Sequence, residues 1–200
     1  MAQVEVLPVA GREIRVSNPE KVLFPEIGVD KLELVRYYVE VAEAALVGCR
    51  DRPTIMLRFP NGVGDDNSFF QKRVPTARPE WIRTATIRFP SGRSAEMIAP
   101  ADAAHLAWMA NLACLDLNPW AVRRDDVDHP DELRVDLDPV PGVAWDDVRR
   151  VTLVAGEVLA DHGLTGFPKT SGKRGMHILV RIRPERGFTT VRRAALAFAR

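Results

Sequence analysis

The sequence predicts an α+β fold in which antiparallel hairpins carry helices packed on one side. Short alternating runs separated by Pro, Gly and Asn turn clusters fill much of the first 100 residues. Two stretches, 31–48 and 145–162, repeat apolar residues at three- and four-residue spacing, the period of an amphipathic helix. No repeat and no low-complexity linker interrupts the chain, so a single domain over residues 1–200 is expected.

Gln3 to Val9 and Glu13 to Val16 alternate apolar with polar around Ala10-Gly11 and predict an opening hairpin. A loop is expected from Asn18 to Asp30. From Lys31 to Gly48 the apolar positions Leu34, Val35, Tyr38, Val41, Ala42, Ala45 and Leu46 predict one helix, with Asp30 as N-cap and Gly48 as the residue after its end. Extended runs follow at Thr54–Phe59, Ser68–Lys72, Ile82–Phe89 and Ala95–Ala99, divided by turns such as Pro60-Asn61-Gly62 and Pro90-Ser91-Gly92. Asp102 to Cys114 reads as a helix with Leu106, Met109 and Ala110 inward, and Asn118-Pro119 breaks the apolar run behind it. Leu133–Asp138 is a strand ended by Pro139. Trp145 to His162 is a helix stopped by Gly163, Thr165–Lys169 and Met176–Arg183 are strands, and Thr189 onward is helical. That last pattern runs to Arg200 without Gly, Pro or cap, which suggests a domain truncated at its C-terminus.

Composition narrows the class. Of 200 residues, 46% are hydrophobic and 28% charged, far from disordered, collagen-like or membrane-spanning chains. Cys49 and Cys114 are too few for a disulfide framework or a cysteine zinc site, and a reducing cytoplasm is the default. The first residues lack a secretory pattern and no apolar run approaches the roughly 20 residues of a membrane helix, so no membrane association is expected. His105, His129 and His162 have no metal-ligand spacing, and Trp81, Trp108, Trp120 and Trp145 read as packing residues.

The formal net charge of +1 conceals a bipolar chain. Asp102 to Asp161 holds 13 acidic residues against five basic, a net of −8, whereas Gly166 to Arg200 holds nine basic against Glu185 alone, a net of +8. Carboxylates beside cations suit a site that holds divalent metal and a polyanion together. Two solvated surfaces of opposite sign are the plainer alternative.

Arg134-Val135-Asp136-Leu137-Asp138-Pro139 places Asp136 and Asp138 two residues apart on a strand, hence on one face. Two such carboxylates repel unless cations sit between them, and a pair of Mg²⁺ or Mn²⁺ ions is the standard device for phosphoryl or nucleotidyl transfer. An Asp before Pro also simply ends strands. Lys169-Thr170-Ser171-Gly172-Lys173-Arg174-Gly175-Met176-His177 gathers glycines, a hydroxyl and cations in a strand-to-strand turn suited to phosphate. It is not a Walker A loop, because a strand rather than a helix follows. Asn18-Pro19-Glu20-Lys21-Val22-Leu23-Phe24-Pro25 runs into Lys31 at a helix start, where Lys21 and Lys31 can converge on a terminal phosphate or remain solvated. Phe69 and Phe70, in Ser68-Phe69-Phe70-Gln71-Lys72, suit stacking on an unpaired base, or a core strand.

Taken together with Arg58-Phe59-Pro60-Asn61-Gly62, these segments resemble, in order and spacing, the polymerase domain of bacterial end-joining ligase D, a member of the archaeo-eukaryotic primase superfamily. The resemblance runs from about Ser17 to Arg200. It implies a primase-type fold with an RRM-like antiparallel catalytic sheet, and template-dependent addition of nucleotides, ribonucleotides preferred, at gaps and double-strand-break ends in non-homologous end joining. It also implies two Mn²⁺ or Mg²⁺ ions and an NTP or dNTP substrate. Asp136 and Asp138 match two metal-binding, catalytic aspartates. Ser171, Gly172, Lys173 and His177 match the nucleotide-binding motif, Phe69 and Phe70 match aromatics near the templating base and incoming nucleotide, and Asn18, Lys21 and Lys31 match the pocket for a downstream 5′-phosphate. Ku and a DNA ligase are implied partners, in a bacterial cytoplasm at the nucleoid.

This sequence departs from the family at two places. The third metal-binding aspartate and the loop before it are expected beyond Arg200, and Asn118 stands where many relatives have a histidine that contacts the nucleotide. Weak or absent catalysis with retained binding is therefore expected of these 200 residues alone. A DNA-end-binding module without catalysis, and a metal-dependent phosphoesterase on the same acidic pair, remain competing readings.

Overall fold

A computed structural model describes residues 3–64, 66–89 and 91–200; Pro90 of the expected Pro90-Ser91-Gly92 turn lies outside them, as do Met1 and Ala2. The opening hairpin forms as expected. Strands β1 (Val4–Val9) and β2 (Arg12–Ser17) pair antiparallel with Val9 opposite Arg12, and Ala10 and Gly11 both take positive φ, 49° and 73°, as a two-residue turn between right-twisted strands requires. The expected loop 18–30 contains a small ribbon of β3 (Val22–Phe24) and β4 (Val29–Asp30). Each strand is too short to show a period in sequence.

Asp30 caps helix α1 (Lys31–Glu40) through a full capping box: its carboxylate accepts the Glu33 N–H at 2.9 Å and the Glu33 carboxylate accepts the Asp30 N–H at 2.9 Å. The single helix expected to reach Gly48 is in fact two. Val41, at φ −90° and ψ 7°, separates α1 from α2 (Ala42–Cys49), and Gly48 lies inside α2 rather than after it. The buried stripe Lys31, Leu34, Val35, Tyr38, Ala42, Leu46, Cys49 continues through the break, so apolar spacing is blind to it. The left-handed residue beyond the helix is Asp51, at φ 53°.

Strands β5 (Thr54–Arg58), β6 (Phe69–Gln71) and β7 (Thr84–Arg88) fall within the expected runs, and β8 (Ser94–Ile98) starts one residue before its run. Helix α3 (Ala103–Asn111) starts at the Asp102 N-cap but ends three residues earlier than expected, because Ala113 turns left-handed at φ 55°. The residues behind it form a further strand, β9 (Cys114–Pro119), which runs along β5. The sheet order is β6-β5-β8-β7, with β9 on β5. Asn111 ties α3 to the hairpin: its Oδ1 accepts the Ser17 N–H and its Nδ2 donates to the Arg15 carbonyl, both at 3.0 Å. The core of this part includes Val35, Leu46, Met56, Ile98, Leu106 and Met109, all nearly inaccessible.

Backbone contacts divide the chain into two units, Met1–Asp125 and Asp126–Arg200. The second holds β10 (Glu132–Leu137), α4 (Trp145–Asp161), β11 (Gly166–Thr170), β12 (Met176–Arg181) and α5 (Phe188–Phe198). Its antiparallel sheet runs β10-β12-β11. This β-α-β-β-α order with the third strand central is the pattern of a split βαβ sheet. One face, including Leu133, Val135, Ile178 and Val180, packs on Ala155 and Leu159 of α4 and on Val191, Ala195 and Phe198 of α5. Burying that face leaves the alternate positions, among them Asp136 and His177, on the open side.

Among the described residues no helix is long and apolar enough to cross a membrane.

Candidate functional site

Strand register in the second unit builds a row of polar side chains across the open face. Asp136 on β10 stands opposite His177 on β12, which stands opposite Lys169 on β11. The Asp136 Oδ1 and His177 Nε2 atoms lie 3.5 Å apart, and the Asp136 side chain is 71% exposed. Asp138 follows one residue beyond the strand and is also exposed. Among the described residues no group of three or more His, Cys, Asp or Glu side chains converges to hold a metal. Two exposed carboxylates with an adjacent imidazole fit a hard cation that completes its shell with water and phosphate oxygens, as Mg²⁺ does. They do not make a closed all-protein cage.

The Ser171–Gly175 turn is closed by its own hydrogen bonds. The Ser171 N–H donates to the Gly175 carbonyl at 2.9 Å, and the Ser171 Oγ accepts the N–H groups of Lys173 at 3.3 Å and Gly175 at 3.1 Å. With both acceptor sites used, the Ser171 hydroxyl keeps its proton to donate outward, the role an anion demands. Gly172 supplies the left-handed corner at φ 86°, and Lys173 and Arg174 are exposed. Gly175 packs so closely on β10 that a Cβ there would overlap the Leu137 carbonyl oxygen and come within 3.3 Å of its carbon. Leu137 lies between Asp136 and Asp138, so this glycine holds the Ser171–Gly175 turn against the acidic pair. Its positioning role is a contact between distant segments, which the motif alone does not signal.

In the first unit Lys21 and Lys31 are brought together by the β3–β4 ribbon, where the Lys31 N–H donates to the Lys21 carbonyl at 2.9 Å. Lys31 is buried, and its Nζ donates to the Ser17 carbonyl at 2.5 Å. Burial, with Lys21 and Arg58 nearby, lowers its pKa below the usual lysine value. Lys21 Nζ lies 3.4 Å from Asn61 Oδ1. Asn18 acts through its backbone: at φ 48° it turns the chain, and its carbonyl accepts the Lys21 N–H at 3.1 Å.

Arg58 is the member of this cluster that sequence reasoning did not single out, although its motif was visible. Its Nε donates to the Leu112 carbonyl at 2.7 Å, its Nη1 donates to Gln71 Oε1 at 2.6 Å, and its guanidinium lies 5.4 Å from the Phe69 ring centre. Two cations, Lys21 and Arg58, thus gather around Lys31, which has no ion-pair partner among the described residues, an arrangement that attracts an anion. Phe69 and Phe70 are 44% and 62% exposed on β6 and project to opposite faces. An apolar recess of about 420 Å³ between the ribbon and α1, lined by Phe24, Ile27, Tyr37 and Tyr38 among others, contains none of the residues expected to act. The cysteine thiols are buried, and burial pushes Cys49 up to about 11 and Cys114 up to about 12, which leaves both unreactive.

Residues 30–200 match the family model described as the LigD primase-polymerase domain. The chain is 34% identical over 183 residues to the multifunctional non-homologous end joining DNA repair protein LigD of Mycobacterium tuberculosis, covering 84% of this chain and 23% of that one. It is 32% identical over 169 residues to the multifunctional non-homologous end joining protein LigD of Mycolicibacterium smegmatis, covering 84% and 22%. It thus spans under a quarter of the length of these relatives. Among solved structures it resembles the polymerase domain of M. tuberculosis ligase D in complex with DNA, with a TM-score of 0.78 and 32% identity over 84% of this chain and 61% of that one.

Proposed function

The chain belongs to the LigD primase-polymerase domain family, and from that premise we propose that it is a template-dependent nucleotidyltransferase acting at DNA gaps and double-strand-break ends in non-homologous end joining. The observation that carries the reading is the join between the two halves of one chemistry: the acidic pair at the end of β10 and the phosphate-type turn before β12, held together at Gly175 and Leu137. The family match runs through the boundary between the two units and supports one family domain.

Asp136 and Asp138 would hold two Mn²⁺ or Mg²⁺ ions, which when bound activate a primer hydroxyl and offset charge on a triphosphate. The turn binds the triphosphate. Ser171 donates its hydroxyl proton, Lys173 adds a mobile positive charge, and Gly172 gives the turn its shape. His177, beside Asp136, orients the same phosphates through its ring nitrogen. In the first unit Lys21 and Lys31, with Arg58 behind them, take the 5′-phosphate of a downstream strand, and the exposed Phe69 and Phe70 stack on bases. The incoming nucleotide is an NTP or dNTP, with ribonucleotides preferred. The DNA bound in the related solved structure is consistent with a DNA substrate. Ku and a DNA ligase are the proposed partners, in the bacterial cytoplasm at the nucleoid.

The two-carboxylate donor set also favours a second reading, a non-catalytic module that recognises a DNA end by its 5′-phosphate. One experiment separates them: incubation with Mn²⁺, a labelled ribonucleotide and a short-gapped duplex carrying a downstream 5′-phosphate. Template-directed primer extension that drops to background in Asp136→Ala supports the polymerase. Absence of extension, with binding that still requires the 5′-phosphate, selects the end-recognition module. Release of nucleotides instead of addition would select a phosphoesterase.

A further inference from the structure

The open face of the second unit's sheet carries an aromatic side chain with no structural task. One step along the strands from the Asp136–His177–Lys169 row, about 7 Å, lies a row formed by Arg134, Leu179 and Phe167. Phe167 is 55% exposed, while α4 and α5 pack on the other face of the sheet, in a core that does not include it. In the following row stands Arg181, opposite Glu132. The Glu132 carboxylate is engaged at 2.7 Å by Arg134, and Arg181 makes no ion pair among the described residues. The Lys169 Nζ donates to the Thr170 carbonyl at 3.2 Å and, among the described residues, likewise has no carboxylate partner. Along this face the order is therefore cation, aromatic, cation.

We infer that this face is a track for a single nucleic-acid strand, with Phe167 as the platform on which a base stacks and Lys169 and Arg181 as contacts to flanking phosphates. A strand of nucleic acid presents the complementary series, phosphate, apolar base, phosphate, and aromatic stacking tolerates any base because each has a π-face. Beyond the end of β12, Arg183 is almost fully exposed and lies 3.9 Å from the Glu185 carboxylate, so the inference rests on Lys169 and Arg181. An apolar protein partner would not match the cations on either side of the ring. The inference rests on the polymerase reading and adds to it a place for the strand beside the acidic pair.

The test uses fluorescence anisotropy of a labelled twelve-nucleotide oligo-dT with the whole chain, in EDTA so that metal plays no part. Phe167→Ala and Phe167→Leu are expected to weaken binding roughly five- to a hundredfold and Phe167→Trp to retain it. Arg181→Ala should lower the slope of log affinity against log salt by about 0.7, one phosphate contact to a single strand. All four variants should unfold at the wild-type temperature, because the side chains are exposed. Wild-type affinity in Phe167→Leu would overturn the stacking role, since leucine keeps the apolar surface and loses the ring. A wild-type chain that extends a gapped duplex but does not bind the oligonucleotide would overturn the track and leave the polymerase standing. A chain that does neither would overturn both.

Discussion

Lys31 and Asp136 are both charged groups expected to meet nucleic acid or its precursors, yet one is 7% exposed and the other has a side chain 71% exposed. Lys31 sits at the end of a capped helix, fixed to the Ser17 carbonyl and crowded by Lys21 and Arg58. Asp136 stands on an open sheet face, with His177 at 3.5 Å its only ion-pair partner among the described residues. The first arrangement is built in advance for an anion, so its ligand meets groups already desolvated and oriented. The second is wet and loosely held, and under the proposed function its order comes from the ions and phosphates it would bind. Under the proposed function, recognition of the end falls to the first unit and chemistry to the second.

Three substitutions and one titration would break or sharpen that contrast. Lys31→Met has the largest expected effect in the first unit. It should cost about 10- to 100-fold in preference for a 5′-phosphorylated over a 5′-hydroxyl gapped duplex, the worth of a charge-assisted hydrogen bond. Competition binding measures this, and an unchanged preference would place the phosphate elsewhere. Gly175→Ala should lower unfolding free energy by about 1–3 kcal/mol, because the new methyl group has to displace Leu137. Urea titration gives the stability, and triphosphate binding should weaken with it. Stability equal to wild type would show that the turn and the acidic strand are not locked together.

The titration concerns His105 in the first unit, whose Nε2 accepts the Arg83 N–H at 3.2 Å while Nδ1 donates to the Asp102 carboxylate at 2.8 Å. The carboxylate also takes Arg12 at 2.7 Å, and these bonds hold it down to about 2 against the opposing effect of burial. Burial lowers the histidine pKa despite Asp102, so the folded state favours neutral imidazole. The unfolded chain then binds more protons in acid. Stability is complete above about pH 6.5, the ordinary histidine value, and declines as pH falls toward the lowered folded pKa. The melting temperature should drop between pH 7 and 5, and His105→Gln should reduce that slope. An equal slope in the variant would assign the acid sensitivity to other groups. The smallest effect is expected from Arg149→Ala. Its 3.3 Å pair with Asp146 is highly exposed on both sides, so stability should change by about 0.5 kcal/mol or less in thermal unfolding.

Much of the fold was legible along the chain because its signals are local. The Ala10-Gly11 turn, the Asp30 and Asp102 caps and the Gly163 stop each act within a few residues. The break at Val41 was hidden because the buried stripe passes through it, and β9 was missed because Asn118-Pro119 reads as a terminator while its strand is stabilised by pairing with β5. The acidic pair, the phosphate-type turn and the two lysines were readable as motifs. Arg58 and Gly175 were not distinguished within theirs, since what sets them apart is a neighbour far along the chain.

By itself, the sequence determined the α+β class, the family, and which short segments carry charge and glycine, since periodicity, turn chemistry and motif order are properties of neighbouring residues. Only the tertiary structure decided that Lys31 is buried among cations, that Ser171 spends its lone pairs inside its own turn, and that Phe167 faces outward beside Lys169 and Arg181. Burial, hydrogen-bond occupancy and cross-strand register depend on which distant segments meet, and that follows from how whole faces exclude water rather than from any one stretch of residues.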